Sequence, residues 1–267
     1  MTFDSSFFLR ASMHPRRILL VLALLILPSL LVSCADVPKS PEAQAEAQAI
    51  NDPLEPMNRV VFDVNDFLDR LLIRPLTELY RFAFPDYVRE RIANVLANMG
   101  EPVIFANNLL QGRASDAGTT VQRFLVNTTV GVAGIFEVAD GWELPKQKGD
   151  FGQTLSVWGI NGGPYLVLPL FGPSNFRDAI GLGADMAMSP WQYIAGIDGN
   201  GTQNRVTYST FAADGLTRRD ETLEDYDALR AGSLDFYAEM RSVYRQYRDK
   251  QLGIQNPNAS PVFEDYE

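Results

Sequence analysis

Apolar residues recur every three or four positions through residues 58–73, which is the spacing of one face of an α-helix. The apolar positions are Val60, Val61, Val64, Phe67, Leu68, Leu71 and Leu72. Asn58 is placed to cap this helix at its start. Pro75 interrupts or restarts the helix, because proline lacks the N–H that a helix interior uses, and the pattern then continues to Pro85.

The same periodicity, together with glycine and proline at the ends of segments, predicts further helices. They are 85–100, ending at Gly100; 102–112, opened by Pro102; 115–131; 174–188, capped by Ser174; and 223–252, as one long helix. Convincing alternation of apolar and polar residues is absent, so the sequence predicts an all-α fold built from short amphipathic helices.

A short apolar segment lies between two turns in the middle of the chain. Residues 161–164, NGGP, form a turn, and Gly-Pro at 172–173 closes the segment. Residues 165–171 carry no charge, and Pro169 prevents a regular helix through them. Seven residues reach about 23 Å when extended and about 10 Å as a helix. Two interpretations follow: a buried hydrophobic crossover, or a loop that faces lipid and enters one leaflet.

The N-terminus has the pattern of a secretory signal. Arg16 and Arg17 precede the apolar stretch 18–27, and the segment 30–34, LLVSC, resembles a bacterial lipobox. In that resemblance the chain is cleaved before Cys34, which receives a diacylglycerol thioether. The alternative is an uncleaved transmembrane anchor, for which the apolar stretch is short of the ~20 residues that a span needs.

Composition divides the chain into four parts. Residues 1–33 form the signal peptide, and residues 34–52 are a polar, Pro- and Ala-containing segment typical of a flexible, lipidated tether. Residues 53–252 form one helical domain, and the acidic tail 253–267 is predicted to be disordered.

The residue counts exclude several chemistries. Cys34 is the only cysteine and His14 the only histidine, so the mature chain has no disulfide, no thiol nucleophile, no histidine-based triad and no zinc site of N or S ligands. No catalytic residue, metal or cofactor is predicted. The net charge of −10 argues against nucleic acid as a partner. A hydrolase that uses Ser156 or Ser174 with a carboxylate is a remote alternative.

Four long motifs stand out: DPLEPMNRVVFDVND (52–66), NMGEPVIFANNLLQG (98–112), RFLVNTTVGVAGIFEVA (123–139) and DFGQTLSVWGINGGPYLVLPLFGPSNFRD (150–178). Together they resemble the MlaA, or VacJ, family of lipoproteins. The resemblance implies a ring-like, all-helical domain on the periplasmic face of the outer membrane, embedded in the inner leaflet. It also implies three partners: phospholipid, a trimeric porin, and a periplasmic carrier like MlaC. The implied function is the removal of mislocalised phospholipids from the outer leaflet and their delivery to that carrier.

A pore for amphiphiles needs apolar groups for the acyl chains and polar groups for the headgroup, because an unpaired buried charge costs several kcal/mol. The predicted lipid-path residues are Asn127, Thr128, Thr129, Asn161, Tyr165, Leu166, Leu168, Leu170 and Phe171. The polar members are equally suited to helix caps and turns. A structural lipoprotein that scaffolds porins or the envelope without moving lipid is the alternative function.

Other residues have simpler expected roles. Residues 131–134, GVAG, are either a helix break or a small-residue patch where helices approach closely. Arg177 and Asp178 are expected to pair or to cap near the apolar segment. The tryptophans suit either the core or a lipid–water boundary; they are Trp142, Trp158 and Trp191.

Overall fold

The computed structural model describes residues 51–194 and 202–254, and helices make up nearly all of its regular structure. The helices are α1 (Glu55–Leu68), α2 (Arg74–Ala83), α3 (Asp86–Leu110), α4 (Ala114–Thr129), α5 (Phe151–Val157), α6 (Phe176–Met188), α7 (Pro190–Ile194), α8 (Thr202–Glu221), α9 (Leu223–Gly232) and α10 (Phe236–Gln251). The all-α class is therefore confirmed. The predicted signal peptide, Cys34, most of the predicted tether and nearly all of the predicted tail lie outside the described residues.

One antiparallel β-hairpin, which the sequence pattern did not reveal, interrupts the helices. Its strands are β1 (Tyr165–Leu168) and β2 (Gly172–Asn175), with Tyr165 opposite Asn175 and Leu168 opposite Gly172. Leu170 and Gly172 turn the chain with positive φ angles of 67° and 76°. The apolar segment thus folds back on itself, because Pro169 excludes a helix and Gly172 permits the turn.

The first two helices are joined without a break. A π-helical turn, Asp69–Ile73, follows α1 directly and leads into α2. Pro75 lies in the first turn of α2, where its missing N–H removes little. The predicted interruption at Pro75 is therefore a change of helix type, from α to π and back, and the apolar pattern continues through it.

Helix α3 overturns a predicted boundary. It runs through Gly100 with Pro102 inside it, so the predicted end at Gly100 is wrong. The proline costs one backbone hydrogen bond. Helix α3 packs along α4, and polar side chains are buried on both sides of Pro102, Asn98 before it and Asn107 after it. These contacts compensate for the lost hydrogen bond.

The predicted helix over 223–252 is also wrong, because it is divided into α9 and α10. Ser233 is extended, and Asp235 starts α10 by accepting a hydrogen bond from the amide of Ala238.

Two predicted helix caps are also wrong. Asn58 is buried within α1, and the cap of α6 is Asn175, next to Ser174, accepting from the amide of Asp178 at 2.9 Å.

A small aromatic core fixes the hairpin against the first and last helices. Tyr165 and Val167 of β1 pack with Phe62 of α1 and Tyr237 of α10. The Phe62 and Tyr237 rings meet edge to face with centroids 5.5 Å apart. This core is modest in size, and most of the other buried side chains are polar.

Candidate functional site

The distribution of polar and apolar side chains is the reverse of that in a water-soluble globule. Among the described residues, the largest side chains that are fully buried are Arg123, Asn58, Asn107, Asn108, Thr77, Thr120 and Thr154. Many large apolar side chains, in contrast, are exposed. Soluble proteins bury Leu, Ile, Val and Phe preferentially and expose contiguous apolar patches rarely. The outer surface is therefore suited to an apolar environment.

A long exposed apolar surface follows α1, the π-helical turn and α2. We call it the outer apolar face, and it consists of Val60, Val64, Phe67, Leu71, Leu79 and Phe82. Leu71 is 63% exposed and Phe82 is 90% exposed. The spacing keeps these side chains on one side of the helices. Within residues 51–194 and 202–254, no helix combines the length and apolar character needed to cross a membrane.

Ion pairs occupy the opposite side of the same helices. Asp69, in the π-helical turn, accepts hydrogen bonds from Arg219 of α8 at 2.8 and 3.1 Å, and both side chains are buried. Arg81 and Arg89 both pair with Asp220. These contacts attach α2 and α3 to α8 and pair the buried charges with opposite ones. The outer apolar face is therefore directed away from the protein's own polar interior.

Two asparagines of α1 hold the free edge of β1. Asn58 donates to the carbonyl of Tyr165 at 3.0 Å and accepts from the amide of Val167 at 2.9 Å. Asn65 does the same two turns later, donating to Leu168 O at 2.9 Å and accepting from Leu170 N at 2.9 Å. Side-chain amides thus take the place of a third strand along this edge.

The hairpin combines both interpretations of the apolar segment. Tyr165 and Val167 are buried in the core, as a crossover would be, and Leu166 and Leu168 are half-buried. At the tip, Leu170 is 59% exposed, and Phe171 contacts Phe211 of α8 with ring centroids 5.5 Å apart. One end of the segment is fixed in the protein and the other is presented outward.

A cavity of about 270 Å³ lies between the hairpin, the loop before it and α10. Asn161 and Tyr165, both predicted lipid-path residues, line it, together with Arg177, Tyr244 and Arg248. The hydroxyl of Tyr165 has no hydrogen-bond partner although the side chain is 3% exposed. Burial, with a smaller contribution from nearby Asp52, raises the pKa of Tyr165, so this hydroxyl remains protonated.

Charges behind the cavity are compensated. Arg248 bonds to both carboxylate oxygens of Asp150 at 2.7 Å and to both oxygens of Asp178 at 2.8 Å. Burial alone would raise the pKa of Asp178, but the hydrogen bonds and charge of Arg248 outweigh it and leave the pKa lowered. The predicted pairing of Arg177 with Asp178 is present, with Nη2 2.9 Å from Oδ1.

The other predicted polar residues lie on α4, and none of them lines this cavity. Asn127 is buried and accepts from the amide of Ala139 at 2.9 Å. Thr128 accepts from Asn98 at 2.9 Å, and exposed Thr129 donates to the carbonyl of Leu125 at 2.6 Å. The structure brings Asn161 and Tyr165 to one site and places Asn127, Thr128 and Thr129 elsewhere.

The turn after α4 is tightly built. Val132, Ala133 and Gly134 all have positive φ, and a Cβ at Gly131 would lie 2.4 Å from the carbonyl oxygen of Asn127. The helix break predicted for residues 131–134 is present.

The three tryptophans differ in their surroundings. Trp142 and Trp158 are exposed, whereas the indole of Trp191 donates to Met99 O at 2.6 Å.

Sequence reasoning missed a buried charge cluster between α3 and α4. Arg123 is 1% exposed, lies 3.5 Å from a carboxylate oxygen of Glu101, and also bonds to Glu137. Burial raises the pKa of Glu101, against the opposing charge of Arg123. An arginine between apolar residues in α4 was the available signal, but its partners are 22 and 14 positions away.

Comparison with known proteins identifies the family. A model described as MlaA lipoprotein matches residues 50–251. The chain belongs to the MlaA lipoprotein family. The family resemblance drawn from the four sequence motifs is thereby confirmed, and the family is one of transport lipoproteins.

Relatives and a solved structure agree with this family. The Escherichia coli K12 "Intermembrane phospholipid transport system lipoprotein MlaA" is 30% identical over 254 residues, covering 91% of this chain and 95% of the relative. An uncharacterised Rickettsia felis protein is 34% identical, covering 78% of this chain and 80% of that protein. A solved structure from "Structural basis for maintenance of bacterial outer membrane lipid asymmetry" has a TM-score of 0.64 at 30% identity, covering 74% of this chain and 98% of that one.

Proposed function

We propose that this protein is an outer-membrane lipoprotein that removes mislocalised phospholipids from the outer leaflet and passes them to a periplasmic carrier. The observation that carries the proposal is the reversed distribution of side chains, apolar outside and polar inside. The MlaA relatives, named for intermembrane phospholipid transport, support the same assignment.

The outer apolar face supplies the membrane contact in this proposal. Full burial of a Val, Leu or Phe side chain is worth roughly 1.5–3 kcal/mol. With the six residues between 51% and 90% exposed, lipid contact over the face contributes on the order of 10 kcal/mol, as an upper value. Such a contribution needs no attraction between the acidic chain and anionic lipid headgroups. The face lies along the inner leaflet, parallel to the membrane.

The polar interior supplies the path for headgroups. A phospholipid that crosses apolar surroundings with an unsolvated headgroup meets a cost of several kcal/mol. Amide and hydroxyl side chains along the path lower that cost by providing hydrogen-bond partners. We assign this role to the predicted set around Asn127, Thr128, Thr129 and Asn161. Of the other predicted lipid-path residues, Leu166, Leu168, Leu170 and Phe171 contact the acyl chains, and Tyr165, buried in the core, anchors the hairpin that carries them.

The remaining parts of the proposal concern attachment and partners. Acylated Cys34 and the tether 34–52 attach the domain 53–252 to the periplasmic face of the outer membrane, and the tail 253–267 extends from it. A trimeric porin holds the domain in place, and a soluble MlaC-like protein receives the lipid.

A deletion strain tests the proposal. Without the protein, phospholipid should accumulate on the cell surface, measured by the fraction of phospholipid that an external phospholipase or acyltransferase modifies, and detergent sensitivity should rise. Complementation with the wild-type gene should reverse both effects. A surface with normal phospholipid in the deletion strain would contradict transport. Porin binding without lipid transfer in reconstituted bilayers would support the scaffold alternative.

A further inference from the structure

The outer apolar face keeps one direction across two helices, although the π-helical turn lies between them. Leu71, in that turn, is 63% exposed, and Leu79, in α2, is 59% exposed. Leu79 comes eight positions after Leu71, whereas two turns of an α-helix take about 7.2 residues. An uninterrupted α-helix would therefore turn Leu79 about 80° away from Leu71 around the helix axis.

The buried side of the same segment shows the same spacing. Asp69 and Thr77 are 6% and 0% exposed and are also eight positions apart. Asp69 accepts hydrogen bonds from Arg219, and the Thr77 hydroxyl donates to the carbonyl of Ile73 at 2.9 Å. One pair of residues outside and one pair inside thus share an excess of one residue over an α-helix. The excess therefore belongs to the backbone that carries both sides.

The π-helical turn supplies this excess. The amide of Arg74 bonds to the carbonyl of Asp69, five positions earlier, so the turn holds one more residue than an α-helical turn. The turn ends directly before the proline of α2. Pro75 has no N–H to bond to the carbonyl of Leu71, so the α-helical ladder is already interrupted at this point. The extra residue is therefore absorbed where its cost in hydrogen bonds is low.

Helix α8 fixes the direction of both segments from the inside. Arg219 holds Asp69 of the π-helical turn, and the next residue, Asp220, pairs with Arg81 of α2. If α2 were rotated by about 80°, Arg81 would leave Asp220 and the buried Thr77 would move towards the surface. The interior contacts and the outer apolar face are therefore formed together only when the extra residue is absorbed.

We propose that the π-helical turn is a positioning segment that keeps α1 and α2 in one rotational register, so that a single lipid-contacting face runs through both helices while the ion pairs to α8 are kept. The proposal rests on the membrane contact of the proposed function. It adds which side of α2 enters the leaflet, with Leu79 at the centre of the face and Glu78 at its edge.

Spin labels at two neighbouring positions test this register in the full mature chain. Glu78→Cys and Leu79→Cys, each in a Cys34→Ser background, are labelled with nitroxide and added to vesicles of phosphatidylethanolamine and phosphatidylglycerol. The label at 79 should be severalfold more accessible to oxygen than the label at 78, and less accessible to a water-soluble nickel chelate. A continuous α-helix would reverse this order, because residue 78 would then lie within about 20° of Leu71. A label at Phe67→Cys, before the turn, is the matched control and should be in lipid with either register.

Variants that change the number of residues provide a second test by vesicle flotation. Deletion of Leu72 combined with Pro75→Ala leaves a plain α-helix with Leu71 and Leu79 seven positions apart, in register, and should retain flotation to within a few-fold. Insertion of one alanine after Leu72 turns α2 by about 100° and should lower flotation about tenfold, because Leu79 and Phe82 leave the face. Pro75→Ala alone should keep the label at 79 in lipid, because the contacts with α8 set the register. Circular dichroism shows whether each variant is folded.

The outcomes separate this proposal from the proposed function. A label at 78 that is more accessible to oxygen than the label at 79, with the label at 67 in lipid, would overturn the register and leave the membrane contact standing. A folded insertion variant that floats like wild type, or a folded deletion variant that does not float, would also overturn the register. Absence of all three labels from lipid would reject the membrane contact and this proposal with it. The expected order of labels in a chain that transfers no phospholipid between vesicles would support the register and reject the transport function.

Discussion

Phe82 gives the sharpest test of the outer apolar face. It is 90% exposed, and a phenylalanine offers about 200 Å² of surface, so roughly 180 Å² is available to lipid. At about 25 cal/mol/Å², complete burial of that area contributes about 4.5 kcal/mol. If the ring enters the leaflet to half its depth, Phe82→Ser should cost about 2 kcal/mol, or about thirtyfold in the membrane partition coefficient.

The assay is vesicle flotation of the mature chain with Cys34→Ser, so that no acyl anchor contributes. Phe82→Leu, which keeps the position apolar, is the matched control and should retain most of the binding. The free energy of unfolding should change by less than about 0.5 kcal/mol in both variants, because the exposed ring has little packing to lose. Flotation of Phe82→Ser equal to that of wild type would refute the membrane contact. Marked unfolding would show instead that the ring stabilises the fold.

Three further predictions concern the interior. Asn65→Ala should increase amide hydrogen exchange at Leu170 about tenfold, because both hydrogen bonds from Asn65 to the hairpin are lost; unchanged exchange would contradict this role. Tyr165→Phe should raise the free energy of unfolding by about 1 kcal/mol in denaturant titrations, since it removes an unpaired buried hydroxyl, and a decrease would show that the hydroxyl has a partner. Burial raises the pKa of Glu101 above 4.5, so the folded chain binds this proton more tightly than the unfolded chain. The stability that this group contributes is present below about pH 4.5 and is lost as pH rises through the folded-state pKa. The unfolding free energy of wild type minus that of Glu101→Gln should therefore fall as pH rises above about 4.5, and a rise would contradict the assignment.

Periodicity predicted helices well because it depends on local geometry, and it did not reveal which side of each helix is buried. Val60, Val64 and Phe67 have the spacing of a core-facing stripe, yet they are exposed. The buried positions of the same helix include Asn58 and Asp69, at its π-helical end. In a chain that buries polar groups, the helical period is retained, but the apolar face of the helix is exposed and the polar face is buried.

The missed features depend on contacts between distant residues. The hairpin edge is completed by Asn58 and Asn65, which lie more than 100 positions earlier in the chain. Pro102 remains inside α3 because α4 packs along that helix. Arg248 reaches the cavity from the last described helix. Local sequence rules describe propensity at each of these positions, and tertiary packing decides the outcome.

Nitroxide accessibility at residue 71 tests the central claim most directly, that the apolar exterior of this protein lies in lipid. Leu71→Cys in a Cys34→Ser background gives a single labelling site, because Cys34 is the only native cysteine. On addition of vesicles, the label should become more accessible to oxygen and less accessible to a water-soluble nickel chelate. A label that remains equally accessible to the nickel chelate with and without vesicles would contradict the account.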